Sequence, residues 1–436
     1  MQWQNWSGLE SAEPGRVSSP ASPDDVVAAV VAARESGSTV KMVGTGHSFT
    51  GIAAPGDVML TPQRLSGIVE VDREAMTVTA YAGTQLKVLN AELERLGLSL
   101  HNMGDIAEQT LAGAVSTGTH GTGGVAAGLA AQLAGFQLVT GTGEVLDASQ
   151  SENVEVFELG RVGLGALGIL TTVTFAVEPL FLLEAHEQPM SWDEALGTFD
   201  DMADESHHCD MYWFPHTDRM LTKRNTRLDA DVGEARPVSR VRGWVDDELL
   251  SNTVFGALTA VANRAPRAIP RMNQVAARAL SARTYSDVAH RVFTSSRRVV
   301  FREMEYAVPR AAGLDALREA RRVVDASNWK ISFPVEIRVA PADDVALSTA
   351  FDRDSFYLAF HTHHRSDWGT HTAYLAAMES IARDHDGRPH WGKLHTRTAA
   401  DLAPAYPRFG EFARLRDRLD PDRLFTNDYL RRVLGD

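Results

Sequence analysis

At 436 residues, the chain exceeds the length that a single hydrophobic core usually supports, so we expect two domains. Its 44% apolar and 23% charged residues exclude a disordered chain, and its formal net charge of −14 disfavours a nucleic-acid partner, because phosphate backbones are bound by concentrated Lys and Arg. The single cysteine, Cys209, excludes an internal disulfide, and the lack of a signal-peptide pattern or of roughly 18 consecutive apolar residues predicts a cytoplasmic protein without a membrane span.

The N-terminal third predicts short strands that alternate with helices. Ser22 and Pro23 form a strong helix start, since serine caps the first turn and proline suits the first helical position, and Gly37 ends that helix. The strand 39–43 then enters a glycine-rich loop. Further strands are expected at 58–60, 68–71 and 77–82, with a helix at 84–96 and a hairpin at 136–146.

Two glycine-rich loops are the most informative feature of the chain. The first covers residues 44–51 and contains His47, and the second covers residues 113–124 and contains His120. Most residues of both loops have small side chains or none, so their backbone amides can approach an anion closely. Two such loops indicate a long cofactor with a diphosphate and a flat ring.

Familiar nucleotide folds fit these loops poorly. A third glycine run at 163–168 precedes a strand instead of opening a helix after one, which argues against a Rossmann dinucleotide site. No Gly-Lys-Ser/Thr follows any of the loops, so a P-loop nucleotide triphosphatase is excluded.

The pattern of the sequence changes after Pro179. Aromatic-rich strands at 211–214, 304–308 and 355–360 alternate with amphipathic helices such as 312–324, which predicts a second domain built on an antiparallel sheet. Strand alternation puts Glu336 and Arg338 on one face. His361 and His363 also share a face of their strand. Two histidines placed in this way supply two of the ligands in some metal sites, but the spacing here specifies no third ligand.

The strand that enters Gly-Thr-Gly-His-Ser, together with the second loop, resembles the FAD-binding domain of the vanillyl-alcohol-oxidase-type flavoproteins, in their aldonolactone oxidase and alditol oxidase branch. The resemblance implies an α+β fold of two domains. Residues 1–178 would form the FAD-binding domain, residues 179–385 a cap that carries substrate residues on an antiparallel sheet, and residues 386–436 a segment that returns to the FAD domain and the active site. FAD would lie at the domain junction.

The resemblance also assigns the cofactor residues. His47 would be bonded covalently to the 8α-methyl group of the flavin, and the second loop would run along the pyrophosphate and the flavin edge. The residues expected at FAD are Val43, Gly44, Thr45, Gly46, His47, Ser48, Gly104, Asp105, Gly113, Ala114, Ser116, Thr117, Thr119, His120, Gly121, Gly168 and Ile169.

A Glu-x-Arg strand followed by His-Trp-Gly-Lys is similar to the substrate site of the sugar-lactone and alditol oxidases. By this resemblance Glu336 would accept hydrogen bonds from a substrate hydroxyl, Arg338 would stabilise negative charge, and Lys393 would present a cation to flavin and substrate. His361 and His363 would line the substrate pocket, with no metal, and no residue is identified as the general base.

The predicted reaction is oxidation of an aldono-1,4-lactone of the L-gulono or D-arabinono type by hydride transfer to flavin N5, with oxygen or another electron acceptor reoxidising the flavin. Alditol oxidases resemble the chain too, but carry a serine at the position of Ala114 and a threonine near His363. A polyol such as xylitol or sorbitol is therefore the second choice. A metal-dependent hydrolase using His361 and His363, or a flavin-binding module without turnover, are the alternatives of a different class.

Overall fold

The computed structural model describes residues 2–239, 265–294, 299–364 and 368–436. Its N-terminal helix, Pro23–Glu35, begins as the sequence predicts: the Ser22 side chain accepts a hydrogen bond from the backbone N–H of Asp25 at 3.1 Å. The chain leaves this helix through Gly37, whose φ of 62° is left-handed and so favours glycine. Capping chemistry thus fixes where the strand that follows the helix, Val40–Met42, can start.

The parallel sheet is small and carries the first glycine loop. Val58–Leu60 lies in its centre and pairs in parallel with Arg16–Ser18 on one side and Val40–Met42 on the other. The helix Pro23–Glu35 buries Val26 and Val30 against this sheet. The loop therefore leaves the end of the edge strand Val40–Met42, which pairs with Val58–Leu60 and shares a hydrophobic cluster with the helix.

A second sheet, the N-terminal antiparallel sheet, packs beside the parallel one. Its strands in spatial order are Val145–Ser149, Leu133–Val139, Ile169–Ala176, Thr77–Tyr81 and Ile68–Asp72. The predicted hairpin is confirmed, because the first two of these strands pair with each other in antiparallel register. Ile169 and Val139 of this sheet share a hydrophobic cluster with Leu60 of the parallel sheet, which makes the two sheets one packing unit.

The large sheet is antiparallel and lies in the second half of the chain. Its described strands in spatial order are Arg283–Val288, Leu182–Ser191, Arg219–Leu228, His208–Trp213, Val335–Ala340, Ser355–His363, Phe301–Pro309 and Arg388–Pro389. The helix Arg310–Ala326 covers one of its faces with Ala316, Leu317 and Ala320. Glu336 and Arg338 stand on the strand Val335–Ala340, His361 on Ser355–His363, and Glu303 on Phe301–Pro309.

The remaining strands of the described residues are short, and the remaining helices vary in length. Two-stranded pairings join Trp3–Gln4 to Ser11–Ala12 and Leu98–Ser99 to Glu178–Pro179. The other α-helices are Leu86–Leu96, Leu111–Ser116, Val154–Gly160, Trp192–Gly197, Phe199–Glu205, Ile269–Ala279, Ala289–Phe293, Trp368–Asp384, Ala399–Leu402, Phe409–Leu419 and Asp428–Leu434. None of the helices in the described ranges is long and apolar enough to cross a lipid bilayer.

The C-terminal residues pack into the core of the N-terminal part. Trp391, Tyr406 and Phe412 are buried in one hydrophobic cluster with Leu111 and Phe175. This packing supports the prediction that residues 386–436 return to the N-terminal domain. The boundaries at residues 178 and 385 stay predictions.

Candidate active site

A groove lies between the parallel sheet and the glycine loops. The predicted cofactor residues that line it are Gly44, Thr45, Gly46, His47, Ser48, Gly113, Ser116, Thr117, Gly168 and Ile169. Much of its wall is therefore glycine backbone and small hydroxyl side chains. Such a wall presents N–H and O–H donors to an elongated anionic ligand.

Two of the lining glycines are required by close packing. A Cβ atom at Gly168 would lie 2.7 Å from the carbonyl oxygen of Val139, and one at Gly44 would collide with the Thr110 hydroxyl. A larger side chain at either position would displace backbone that lines the groove. These glycines therefore set the shape of the groove.

His47 stands at the groove wall next to Trp6, with ring centroids 5.8 Å apart. Burial lowers the pKa of His47 below its usual value; Glu108 opposes this shift and the nearby cation Lys393 adds to it. The ring is therefore held neutral, the form in which a nitrogen lone pair can add to an electrophile.

Other predicted cofactor residues lie behind the groove or beyond it. Val43 donates its backbone N–H to Leu60, Ala114 is fully buried in the hydrophobic core, and Thr119 contacts the side chain of Gln109. Gly121 packs against Asn102, and Gly104 packs against the His120 backbone. Their expected contacts with FAD stay predictions.

His120 and Asp105 face the large sheet. The His120 Nε2 atom lies 2.7 Å from Glu305 Oε1, and its Nδ1 donates to the backbone oxygen of Gly121 at 2.8 Å. Although burial raises the pKa of Glu305, the charge of His120 holds it well below its usual value. Asp105 Oδ1 lies 3.8 Å from Arg338 Nη2. The second glycine loop thus lines the groove with its backbone and contacts the large sheet through His120, and Asp105 adds a contact from the segment before the loop.

Lys41 was missed by the sequence analysis, although it stands out as a cation in an otherwise apolar strand. It lines the groove, is buried, and donates from Nζ to the backbone oxygens of Gly165 at 3.0 Å and Phe425 at 3.1 Å. Burial lowers the pKa of Lys41 to about 7, against the opposing effect of Asp420. An anionic ligand in the groove would stabilise its charged form. Backbone donors, hydroxyls and this cation together fit FAD.

Arg338 is the centre of one polar cluster on the large sheet. Its Nη2 atom donates to Glu336 Oε1 at 2.6 Å and its Nε atom to Asp210 Oδ1 at 3.2 Å. Against the lowering effect of burial, Glu336, Asp105 and Asp210 raise the pKa of Arg338 well above its usual value. Tyr212 donates its hydroxyl to the same Glu336 oxygen at 2.9 Å. The strand does present Glu336 and Arg338 on one face.

Lys393 pairs with a carboxylate of the large sheet, and its expected contact with flavin and substrate stays a prediction. It forms an ion pair with the carboxylate of Glu303, and its Nζ atom lies 5.1 Å from the ring centroid of Phe49 in the first glycine loop. Phe49 in turn donates its backbone N–H to Gly392 at 2.7 Å. The Lys393 segment is thereby fixed between the groove and the large sheet.

His361 and His363 stand on the strand Ser355–His363, close to Phe333. His361 donates from Nδ1 to the backbone oxygen of Pro334 at 3.1 Å, so in the neutral ring Nε2 carries the lone pair. That Nε2 atom lies 3.6 Å from Glu303 Oε1. One ligand atom each from Glu303, Glu336 and His361 lies within 4.8 Å of the others, and His363 is not part of this group.

Charge decides what this group can bind. Glu303 already has Lys393 as its cation and Glu336 has Arg338, so little uncompensated negative charge is left for a divalent metal. A neutral molecule with several hydroxyl groups suits the arrangement better, because it offers donors to the carboxylates and the imidazole and acceptors to the two cations.

Comparison with known proteins agrees with this geometry. The family model for D-arabinono-1,4-lactone oxidase matches residues 173–433, and the model for an FAD binding domain matches residues 14–149. L-gulono-1,4-lactone dehydrogenase of Mycobacterium tuberculosis is 38% identical over 433 residues and 99% of each chain. Alditol oxidase of a Streptomyces species is 30% identical over 441 residues, covering 99% of this chain and 98% of its own.

A solved structure supports the fold. Cholesterol oxidase from B. sterolicum superposes with a TM-score of 0.83 and covers 99% of this chain and 96% of its own, at 20% identity. The predicted two-domain α+β fold of the FAD-linked oxidases is confirmed, and FAD is its cofactor. The chain therefore belongs to the D-arabinono-1,4-lactone oxidase family, within the vanillyl-alcohol-oxidase-type FAD-dependent oxidoreductases that act on CH–OH donors.

Proposed function

We propose that the protein oxidises the C2 hydroxyl of an aldono-1,4-lactone, of the L-gulono or D-arabinono type, to a carbonyl. The observation that carries this proposal is the convergence of Glu303, Glu336 and His361 on one point, flanked by two paired cations, Arg338 and Lys393. This point lies on the large sheet where the Lys393 segment contacts the first glycine loop. The name of the 38% identical relative supports a lactone as substrate.

When bound, FAD supplies the acceptor for the hydride that leaves the carbinol carbon, at flavin N5. The hydroxyl proton must leave as well, and His361 is the group we assign to accept it at Nε2. Its Nδ1–H is held by the Pro334 carbonyl, so the lone pair is on Nε2. Loss of one hydride and one proton converts the carbinol to a carbonyl.

The other residues bind and orient the substrate. Glu336 accepts a hydrogen bond from a hydroxyl, and Arg338 donates to the oxygen on which negative charge develops. Lys393, between Phe49 and Glu303, supplies positive charge on the side of the groove. Cations fixed in place before the reaction lower its barrier because they do not have to reorganise.

Oxidation of an alditol is the second candidate, favoured by the 30% identical alditol oxidase. The contrast at Ala114 carries less weight than the sequence suggested, because Ala114 is fully buried in the core and is not on the groove wall. Oxygen and another electron acceptor remain alternative oxidants of the reduced cofactor. The family assignment removes the support for a metal-dependent hydrolase.

Substrate class is tested with a panel of aldono-1,4-lactones and alditols, each assayed with oxygen and with an artificial dye acceptor. We expect kcat/KM for the best lactone to exceed that for xylitol or sorbitol by at least about tenfold, or roughly 1.4 kcal/mol. The two acceptors show whether oxygen is used. Equal or better turnover of the alditols would make alditol oxidation the leading assignment.

The role of Arg338 is tested by Arg338→Ala. Loss of a preorganised donor should lower the rate of flavin reduction at saturating lactone by roughly a hundredfold or more, instead of only raising KM. Rapid mixing under anaerobic conditions measures this step. The control is Arg310→Ala, which removes an arginine whose partner is the exposed Asp204. A normal reduction rate in Arg338→Ala would assign Arg338 a structural role.

Covalent attachment through His47 is tested by denaturing the protein in acid and measuring flavin in the pellet. We expect flavin in the pellet of the wild type and of His186→Ala, and in the supernatant for His47→Ala. The His47 variant should also reduce its flavin more slowly, since the 8α linkage raises the flavin potential. Release of all flavin from a fully loaded, active wild type would contradict the tether.

A further inference from the structure

Two acidic residues, Glu303 and Glu305, project from the same face of the strand Phe301–Pro309, and each is less than 5% exposed. They have different partners. Glu305 contacts His120 of the second glycine loop, whereas Glu303 lies directly across the strand pair from His361. Burying a carboxylate costs free energy unless a positive charge or hydrogen bonds compensate it, so each carboxylate depends on its partner for stability.

Glu303 joins two groups of the proposed site. One of its oxygens, Oε2, forms the ion pair with Lys393, and the other, Oε1, lies 3.6 Å from His361 Nε2. The cross-strand register holds the Glu303 and His361 backbones opposite each other. The carboxylate therefore has a fixed position relative to both the cation and the imidazole.

The charged groups around His361 determine how readily it accepts a proton. In the described part of the chain these include Glu303 and Glu336, their cationic partners Lys393 and Arg338, and His363 two residues along the same strand. An opposite charge within about 4–6 Å favours the charged form of a group by roughly 1–3 pKa units. Glu303 is close enough to stabilise the imidazolium that forms at Nε2.

We propose that Glu303 is a positioning residue of the reaction: its carboxylate stabilises the positive charge that His361 gains with the hydroxyl proton, and it holds Lys393 against the first glycine loop. The inference rests on the proposed function, in which His361 accepts that proton. It assigns a role to a residue that does not itself take a proton or a hydride.

The test is Glu303→Gln, which keeps the shape of the side chain and removes its charge. The pH dependence of flavin reduction at saturating lactone is measured by anaerobic rapid mixing. We expect the limiting rate to fall at least about tenfold and the acid limb of the profile to move about one pH unit lower, because His361 becomes less basic. Glu303→Asp should restore part of both.

Glu305→Gln is the matched control, since it removes a carboxylate from the same face of the same strand but one that contacts His120. Its acid limb should stay at the wild-type position. If the acid limb of the pH profile moves equally in both variants, the shift comes from a general loss of negative charge, and the specific role of Glu303 is wrong.

Lys393→Met and the double variant Glu303→Gln/Lys393→Met separate the two contacts and avoid a buried, unpaired ammonium. If removing Glu303 still moves the acid limb in the Lys393→Met background, the carboxylate acts on His361 directly, as proposed. If the shift disappears there, Glu303 acts only by holding Lys393 and the proposal is wrong.

Failure of the inference is distinguishable from failure of the proposed function. A wild type whose flavin is reduced by lactone, together with a Glu303→Gln variant of unchanged rate and pH profile, rejects the inference alone. A wild type whose flavin no lactone reduces rejects the proposed function, and the inference with it.

Discussion

Burial of charge against the large sheet is the constraint on which the site depends. Arg338 and Lys393 are both largely buried, and each is stable there only because it forms an ion pair with a carboxylate. Those carboxylates, Glu336 and Glu303, stand on neighbouring parts of the same sheet, and strand register decides that they converge with His361. A one-residue slip in either strand would send a charge into the opposite, hydrophobic face.

The second glycine loop region connects this polar face to the cofactor groove. Its backbone and small hydroxyls line the groove, while its His120 contacts Glu305 of the large sheet. Asp105, which precedes the loop in the chain, contacts Arg338. The same part of the chain therefore shapes the groove and fixes its distance to the proposed substrate residues. This double attachment explains how a long cofactor and a small substrate can meet at a defined separation.

Local patterns predicted the parts of the molecule that local chemistry decides. The cap at Ser22, the glycine loops and the shared face of Glu336 and Arg338 follow from residue type and strand alternation. Glu303 could not be found this way, because its importance comes from pairing with a strand more than fifty positions away. Lys41 was overlooked for the same reason, since its partners Gly165 and Phe425 are remote in sequence.

The most direct measurement of the central claim is an anaerobic titration of the purified protein with L-gulono-1,4-lactone, followed by the flavin absorbance spectrum. Lactone alone, without oxygen or dye, should bleach the oxidised flavin band, and the sugar product should carry one new carbonyl group. An unchanged spectrum with saturating lactone, in protein whose flavin a chemical reductant does bleach, would contradict that claim.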